Sequence, residues 1–123
     1  MNQVGASIID ITPPNGMAMA GFAARTGVAT GKHDALTVRA LVVDKTAVVT
    51  VDVIGIDANL SARARARASL PDQAITITAT HTHGGPVSMP GRLSAKADDA
   101  YIRCLEDAVV KAVDLAVIDQ KPA

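Results

Sequence analysis

Four short runs of aliphatic and β-branched residues, separated by polar and glycine-rich stretches, set the pattern of this chain. Such runs are typical of β-strands, and here they occupy residues 6–11, 36–43, 47–53 and 74–80. Only Asp44-Lys45-Thr46 separates the second run from the third, which predicts an antiparallel hairpin. Residues 17–31 carry several glycines and no sustained apolar stripe, so we expect an ordered loop there.

Residues 58–70, between the third and fourth runs, are predicted to form a helix. Arg63, Arg65 and Arg67 alternate with alanine in a strand-like period of two. Alanine and arginine are nevertheless strong helix formers, and alanine is depleted in strands. On a helix, Arg63 and Arg67 share one side and Arg65 lies nearly opposite, so no single basic patch is expected. The strand-helix-strand path should be right-handed and its two strands parallel.

A second and longer helix is predicted over residues 94–118, with Ser94 as its N-cap. Its outer side should carry Arg103, Glu106, Asp107, Lys111 and Asp114. Residues at 3.6-residue spacing predict a buried stripe of Tyr101, Cys104, Leu105, Ala108, Val109, Ala112, Leu115 and Ala116. The predicted fold is a single α/β domain over residues 1–123, with a mixed β-sheet and two packed helices in the order β-β-β-α-β-α.

The composition limits which residues can form the core and which partners the protein can bind. Hydrophobic residues make up 49% of the chain, but there is one Tyr and one Phe, so Tyr101 and Phe22 should be isolated large fillers of an aliphatic core. A net charge of +0 argues against electrostatic binding to nucleic acid or to an anionic membrane. The single cysteine, Cys104, is predicted to be a buried helix residue, and it excludes an internal disulfide and a cysteine-rich zinc site.

The chain shows no targeting or membrane-spanning signal. Its first residues lack a basic segment followed by a long apolar run, so no signal peptide is predicted. No window reaches the roughly 18 consecutive apolar residues of a transmembrane helix. We therefore expect a soluble protein, and the sequence leaves its compartment open.

Two histidines follow the last predicted strand and are the strongest candidates for chemistry. Strand alternation would place His81 and His83 on the same face, about 7 Å apart along the strand. Neutral imidazole is a common metal ligand and a natural acid or base near neutral pH. The parallel arrangement should bring Asp52 nearby, either as a turn or cap residue or as a carboxylate that orients a histidine. The alternative is that both histidines are merely polar residues ending an edge strand.

An ordered set of motifs resembles the start of a known enzyme family. It comprises Asp10-Ile11-Thr12-Pro13-Pro14 with Gly16, Gly21-Phe22, Gly31-Lys32-His33-Asp34-Ala35-Leu36, Arg39-Ala40-Leu41-Val42, Asp52, Thr80-His81-Thr82-His83 and Gly85-Pro86. In this order the pieces resemble the neutral/alkaline ceramidases, which are zinc-dependent N-acylsphingosine amidohydrolases. The chain departs from that pattern at Gly84, where the family usually has Ser, at Lys32, usually aliphatic, and at Val87-Ser88, usually glycines.

The resemblance implies a zinc-dependent amidohydrolase acting on a lipid-like N-acyl amide. It implies that His81 is a zinc ligand and that His83 lies beside the metal, where it polarises the amide or stabilises the oxyanion. The family's second zinc histidine, its Glu and Tyr ligands and its serine nucleophile come from downstream motifs that are absent from this sequence. We therefore expect an N-terminal fragment or a short relative that binds zinc weakly and is inactive alone.

Several alternatives stay open. His33 is the remaining histidine and a candidate replacement ligand, since catalytic zinc generally has three protein ligands. Barrel-type metal hydrolases also place His-x-His on a strand, but a barrel needs about 250 residues. A different class is a non-catalytic α/β binding or assembly domain, whose exposed sheet edge associates with a partner segment or with a second copy.

Overall fold

The computed structural model describes residues 1–92 and 96–123. Its main elements are strands β1 (Gln3–Asp10), β2 (Thr37–Val43) and β3 (Thr46–Val51), helix α1 (Ala58–Arg67), strand β4 (Ile75–Ala79), helix α2 (Asp99–Ile118) and strand β5 (Lys121–Pro122). A short 3₁₀ helix, Asp72–Ala74, precedes β4. The predicted α/β class, the mixed sheet and the element order β-β-β-α-β-α are confirmed, with one further strand at the C-terminal end.

The sheet has the order β4-β3-β2-β1-β5. Strands β2 and β3 form the predicted antiparallel hairpin, and β3 pairs with β4 in parallel from Ala47↔Ile75 to Val51↔Ala79. The crossover through α1 therefore brings the C-terminal ends of β3 and β4 to one edge of the sheet. The residues that follow these two strands meet there.

Strand β5 was not predicted. It pairs over two residues with Gln3 and Val4 of β1, and it is too short to show a period. The Gln120 side chain donates hydrogen bonds to the backbone carbonyls of Gln3 and Asp44, at 3.0 and 2.9 Å. These long-range contacts, rather than local propensity, hold the end of the chain on the sheet.

One face of the sheet carries the core and the other is open. Val38, Val42, Val49 and Val51 are fully buried on the first face, where α2 packs against β1, β2 and β3. On the opposite face the large residues Ile8, Leu41 and Val48 are 68%, 47% and 47% exposed. Leu41 and Val48 are direct cross-strand partners, so part of this exposed surface is continuous.

Helix α1 begins and packs as the sequence suggests. Asp57 caps it by accepting hydrogen bonds from the backbone N–H groups of Asn59 and Leu60, at 2.9 and 3.4 Å. The helix ends at Arg67 rather than at residue 70. Arg63 and Arg67 do share one side, because both bind Glu106 of α2, at 2.7 and 2.8 Å.

The buried stripe of α2 differs from the prediction. Cys104 is exposed and Leu115 is 40% exposed, whereas Glu106 and Val113 are buried. The reason is asymmetric packing: Arg63 and Arg67 of α1 bind Glu106, so α1 covers that flank, and among the described helices none covers the opposite flank with Cys104 and Leu115. A helical period gives the width of a stripe but not the side on which a neighbour extends it.

The start of α2 also lies later than predicted. The predicted cap Ser94 falls outside the described residues, and the helix begins at Asp99 after Asp98, whose carboxylate accepts the backbone N–H of Tyr101 at 2.8 Å. Tyr101 is the expected core filler, and its hydroxyl donates to the carbonyl of Ile11 at 2.8 Å. Burial, together with nearby Cys104 and Asp10, raises the pKa of the Tyr101 phenol above its ordinary value of 10.0.

Glu106 makes the stability of the helix pair depend on pH. Burial raises the pKa of its carboxyl, but hydrogen bonds and charges from Arg67 and Arg63 outweigh burial and leave the pKa below the ordinary value of 4.5. The ionised form therefore stabilises the folded state above about pH 4.5, and this contribution is lost as pH falls through the lowered pKa. Both arginines are about half exposed, so the contribution should be about 1 kcal/mol.

We therefore expect Glu106→Gln to be less stable than wild type by about 1 kcal/mol at pH 7 and equally stable near pH 3. Urea unfolding followed by circular dichroism over that pH range measures the difference. Asp107→Asn is the control, because Asp107 is 66% exposed and binds Arg67 alone. A stability difference for Glu106→Gln that does not shrink in acid would contradict the assignment.

Candidate functional site

The histidine segment leaves the sheet directly after β4. Thr80 still donates its backbone N–H to the carbonyl of Val51 at 3.0 Å, but His81 turns into the left-handed region with φ 62°. The two imidazole rings of His81 and His83 lie 5.1 Å apart between centroids, at an interplanar angle of 76°. A turn therefore brings the rings together, and the strand alternation that we predicted for them is wrong, because β4 ends at Ala79.

One nitrogen of His81 has a fixed role. Its Nδ1 lies 2.7 Å from the backbone carbonyl oxygen of Ile54. A carbonyl can only accept, so Nδ1 carries the proton and Nε2 keeps its lone pair in the neutral ring. Imidazoles that bind metals are commonly oriented in this way, by a carbonyl or carboxylate on the other nitrogen.

Asp52 does not orient a histidine. Its Oδ2 accepts hydrogen bonds from the backbone N–H and the hydroxyl of Thr37, both at 2.9 Å, and lies 3.6 Å from Arg39. The carboxylate thus fixes the start of β2, and the cap of the following helix is Asp57 rather than Asp52. The orienting group that we predicted is instead the carbonyl of Ile54, two residues further along the chain.

His83 is held from the glycine-rich loop of residues 16–31. The ring of Phe22 meets that of His83 edge-on, with 5.1 Å between centroids. Gly21 has φ 105°, and a Cβ built on it would come within 2.6 Å of the His83 Cβ, so only glycine fits there. Phe22 is 57% exposed; it is not the core filler that we predicted, because it lies over the histidine segment.

Arg25 links the same loop to the histidine segment and was missed in the sequence. Its Nη1 donates to the carbonyl of Ala20 at 2.9 Å and its Nη2 to that of His83 at 3.0 Å. The guanidinium carbon lies 4.9 Å from the centroid of the Phe22 ring. Both acceptors are backbone atoms, and one lies 58 residues away, so no local spacing could reveal the contact.

His33 lies beside the histidine segment but not beside the imidazoles. A cavity of about 330 Å³ is lined by Thr12, Pro13, Met19, Ala29, Gly31, Lys32, His33, Asp34, Leu36, Thr82 and Gly84. Neither His81 nor His83 is in that lining. Within residues 1–92 and 96–123, no three His, Cys, Asp or Glu side chains come together as a metal site. His33 therefore does not complete a set of three ligands.

The hydroxyl of Ser88, the described serine that follows the histidines, is bound elsewhere. Ser88 is fully buried and donates its hydroxyl to the carbonyl of Gly55 at 2.7 Å. This contact fixes the loop after the histidine segment against the loop after β3. Ser94 lies outside the described residues. No helix among the described residues is both long and apolar enough to cross a membrane.

Comparison with solved structures shows which protein this architecture resembles. The crystal structure of neutral ceramidase from Pseudomonas aeruginosa matches with a TM-score of 0.87 and 19% sequence identity, over 98% of this chain and 22% of that chain. A structure described as ceramidase complexed with C2 matches with a TM-score of 0.87 and 20% identity over the same shares. No protein-family model matches the sequence, and no curated protein matches it.

The predicted resemblance to a portion of neutral ceramidase is thus confirmed at the level of the fold. At 19% and 20% identity, the match shows a shared architecture. The chain spans 22% of the length of those solved chains. The match establishes neither an activity nor a bound metal for this chain.

Proposed function

We propose that this chain is the histidine-bearing part of a neutral ceramidase-like, zinc-dependent amidohydrolase for lipid-like N-acyl amides. The observation that supports this most directly is the hydrogen bond from His81 Nδ1 to Ile54, which leaves Nε2 free for a metal. The second support is the shared fold, which includes nearly all of this chain. We propose His81 as the metal ligand and His83 as the residue beside the metal.

The donor set suits a partial zinc site. Histidine nitrogen is a preferred zinc ligand, and a catalytic zinc generally takes three protein ligands and keeps one open position. His81 and His83 offer at most two imidazoles, and the described residues bring together no third donor. We therefore propose weak, exchangeable zinc binding by the isolated chain.

The roles of the two histidines follow from their surroundings. When bound, zinc supplies a Lewis acid that polarises an amide carbonyl and acidifies a water molecule. His81 would hold the ion through Nε2, with its ring fixed by the carbonyl of Ile54. His83, in edge contact with His81, would donate a hydrogen bond to the amide oxygen or to the oxyanion that develops there.

The proposal is tested by measuring zinc binding and hydrolysis on the purified chain. We expect equilibrium dialysis to detect one weakly bound, exchangeable zinc per chain, and the His33→Ala control to bind zinc equally well. N-acylsphingosine should not be hydrolysed, with or without zinc, because the described residues bring together no third ligand and the Ser88 hydroxyl is bound to Gly55. Absence of any zinc binding would contradict the metal assignment, and zinc-dependent turnover would contradict the incomplete site.

The open sheet face favours a second candidate function, assembly with a second copy. Ile8, Leu41 and Val48 are exposed on the face away from the helices, and β4 lies at an edge of the sheet, where β3 is its neighbour among the described strands. Four strands spaced about 4.8 Å apart and six residues long give a face of about 400 Å² per copy. This is about half the area that each partner buries in a standard interface, so the contact should be weak.

Sedimentation velocity over a concentration series separates the two functions. If the face mediates assembly, we expect weak self-association that Leu41→Lys abolishes, because Leu41 lies centrally opposite Val48. Ala66→Lys, at an exposed position of α1 on the helix side of the sheet, is a control for charge alone. If the protein is a monomer at every concentration, assembly with a second copy is ruled out.

A further inference from the structure

We propose that Arg25 is a positioning residue of the candidate site, which fixes the imidazole of His83 beside that of His81. The inference rests on the proposed function for its meaning, but its geometry stands on contacts within this chain. Arg25 makes three contacts at once: with the carbonyls of Ala20 and His83 and with the face of Phe22. Two of these three partners touch or belong to His83.

The guanidinium group of Arg25 bridges two segments of the chain. Arginine presents its N–H donors in a rigid plane, so two of them can set the separation of two acceptors. Here Nη1 and Nη2 bind Ala20 and His83, which lie in different segments of the chain. The fork therefore ties the glycine-rich loop to the backbone of His83 itself. A lysine ammonium could reach either carbonyl but carries no such plane.

The rings of Phe22, His83 and His81 pack in sequence, each edge-on to the next. The His83 ring meets Phe22 edge-on at 5.1 Å and His81 edge-on at 5.1 Å. Phe22 is 57% exposed, so burial does little to hold it. The guanidinium of Arg25, 4.9 Å from the Phe22 centroid, supplies a cation–π contact that keeps this ring in place. Removing Arg25 frees Phe22, and a free Phe22 no longer limits the rotation of His83.

The glycine-rich loop of residues 16–31 is also held by contacts that do not involve Arg25. Ala20 donates its backbone N–H to Gly85 at 2.9 Å, and Val87 donates to Ala18 at 3.1 Å. Gly21 also packs closely against His83. The loop should therefore stay folded without Arg25, while the orientation of one ring is lost. Sites of this kind tolerate only about 0.5 Å or 10–20° of misplacement, so a rotated ring matters.

The test uses the full chain labelled with ¹⁵N and ¹³C, with wild type, Arg25→Ala, Arg25→Lys and the control Arg65→Ala. Arg65 also donates to a backbone carbonyl, that of Ser61 at 3.4 Å, but within α1. In zinc-free Arg25→Ala we expect loss of the ring NOEs between His83 and Phe22 and between His83 and His81. The ¹⁵N shifts of His81 should keep the Nδ1–H tautomer, because its Ile54 contact does not involve Arg25.

A second readout is zinc affinity. We expect the zinc dissociation constant to rise by no more than about tenfold in Arg25→Ala, because Arg25 acts through His83, which lies beside the proposed ligand His81 and is not itself the ligand. Arg25→Lys should stay folded, with weakened His83–Phe22 NOEs and an intermediate affinity. Arg65→Ala should match wild type in both readouts.

The proposal is overturned if Arg25→Ala keeps the ring NOEs of wild type. If that variant does not fold, Arg25→Lys decides: wild-type NOE intensities in it show that the fork is not needed and reject the proposal. Failure of the proposed function is a separate result. A wild type that binds no zinc rejects the metal role of His81, and the zinc-free NOEs still decide whether Arg25 positions His83.

Discussion

Replacing His81 with alanine is expected to abolish zinc binding by this chain at micromolar zinc, with little change in its free energy of unfolding. Among the described residues, the Nε2 of His81 is the imidazole nitrogen whose lone pair is fixed by a hydrogen bond on the other side of the ring. Loss of a direct ligand should exceed the roughly 10–100-fold cost of losing a group behind it. His81 is exposed but Ile54, its acceptor, is buried, so the lost hydrogen bond should cost about 1 kcal/mol.

Isothermal titration calorimetry with zinc and urea unfolding together measure this result. His33→Ala is the matched control, since His33 lies on the neighbouring cavity away from both imidazoles. His83→Ala should fall between the control and His81→Ala. Undiminished zinc binding by His81→Ala would show that another group is the ligand, and unfolding of that variant would show that the imidazole is structural.

Much of the fold could be predicted because its signals are local. The β-branched runs, the short Asp44-Lys45-Thr46 turn and the Asp57 cap each act within a few residues. The parallel pairing of β3 with β4 follows from the handedness of a crossover, which is nearly invariant. Strand β5 was missed because two residues paired with Gln3 and Val4 leave no pattern in the sequence.

The buried side of α2 could not be predicted correctly from local sequence signals. Its apolar period is real, but the helix is packed on two sides, by the sheet and by α1. The charge of Glu106 suggested an outer position, whereas Arg63 and Arg67 compensate that charge at the helix–helix contact. Cys104 looked apolar enough for the core and lies on the uncovered flank. Which flank is covered depends on a neighbour some 40 residues away, as the Arg63–Glu106 separation of 43 shows.

The candidate site also has one part that the sequence predicts and another part that only the fold reveals. His81 and His83 could be singled out because imidazole is chemically distinctive and the two are close in sequence. The groups that orient them could not, because these are a backbone carbonyl 27 residues from His81 and a guanidinium 58 residues from His83. The sequence distinguishes residues by their side chains, but every residue has a backbone carbonyl, so the sequence cannot show which carbonyl accepts a given hydrogen bond. Only the fold decides that Ile54 and Arg25 are the partners.

Gly5→Ala is expected to be the most destabilising single-methyl change in the sheet. Gly5 is a buried residue of β1 that lies under the last turns of α2. A Cβ built on it would overlap the carbonyl oxygen of Ala116 and come within 2.8 Å of the backbone nitrogen of Gln120. Both obstacles are backbone atoms, so no side chain can rotate away, and α2 must move off the strand.

That movement would also stretch the neighbouring contact, in which the hydroxyl of Ser7 donates to the carbonyl of Ala112 at 2.6 Å. We therefore expect a loss of about 3 kcal/mol, the upper end of the usual cost of overpacking. Urea unfolding of Gly5→Ala against Gly27→Ala measures it, because a Cβ at Gly27 meets nothing within 4 Å. Gly27→Ala should stay within about 0.5 kcal/mol of wild type. Equal stability of the two variants would mean that α2 does not lie against β1 at Gly5, and the close approach of helix and strand would have to be abandoned.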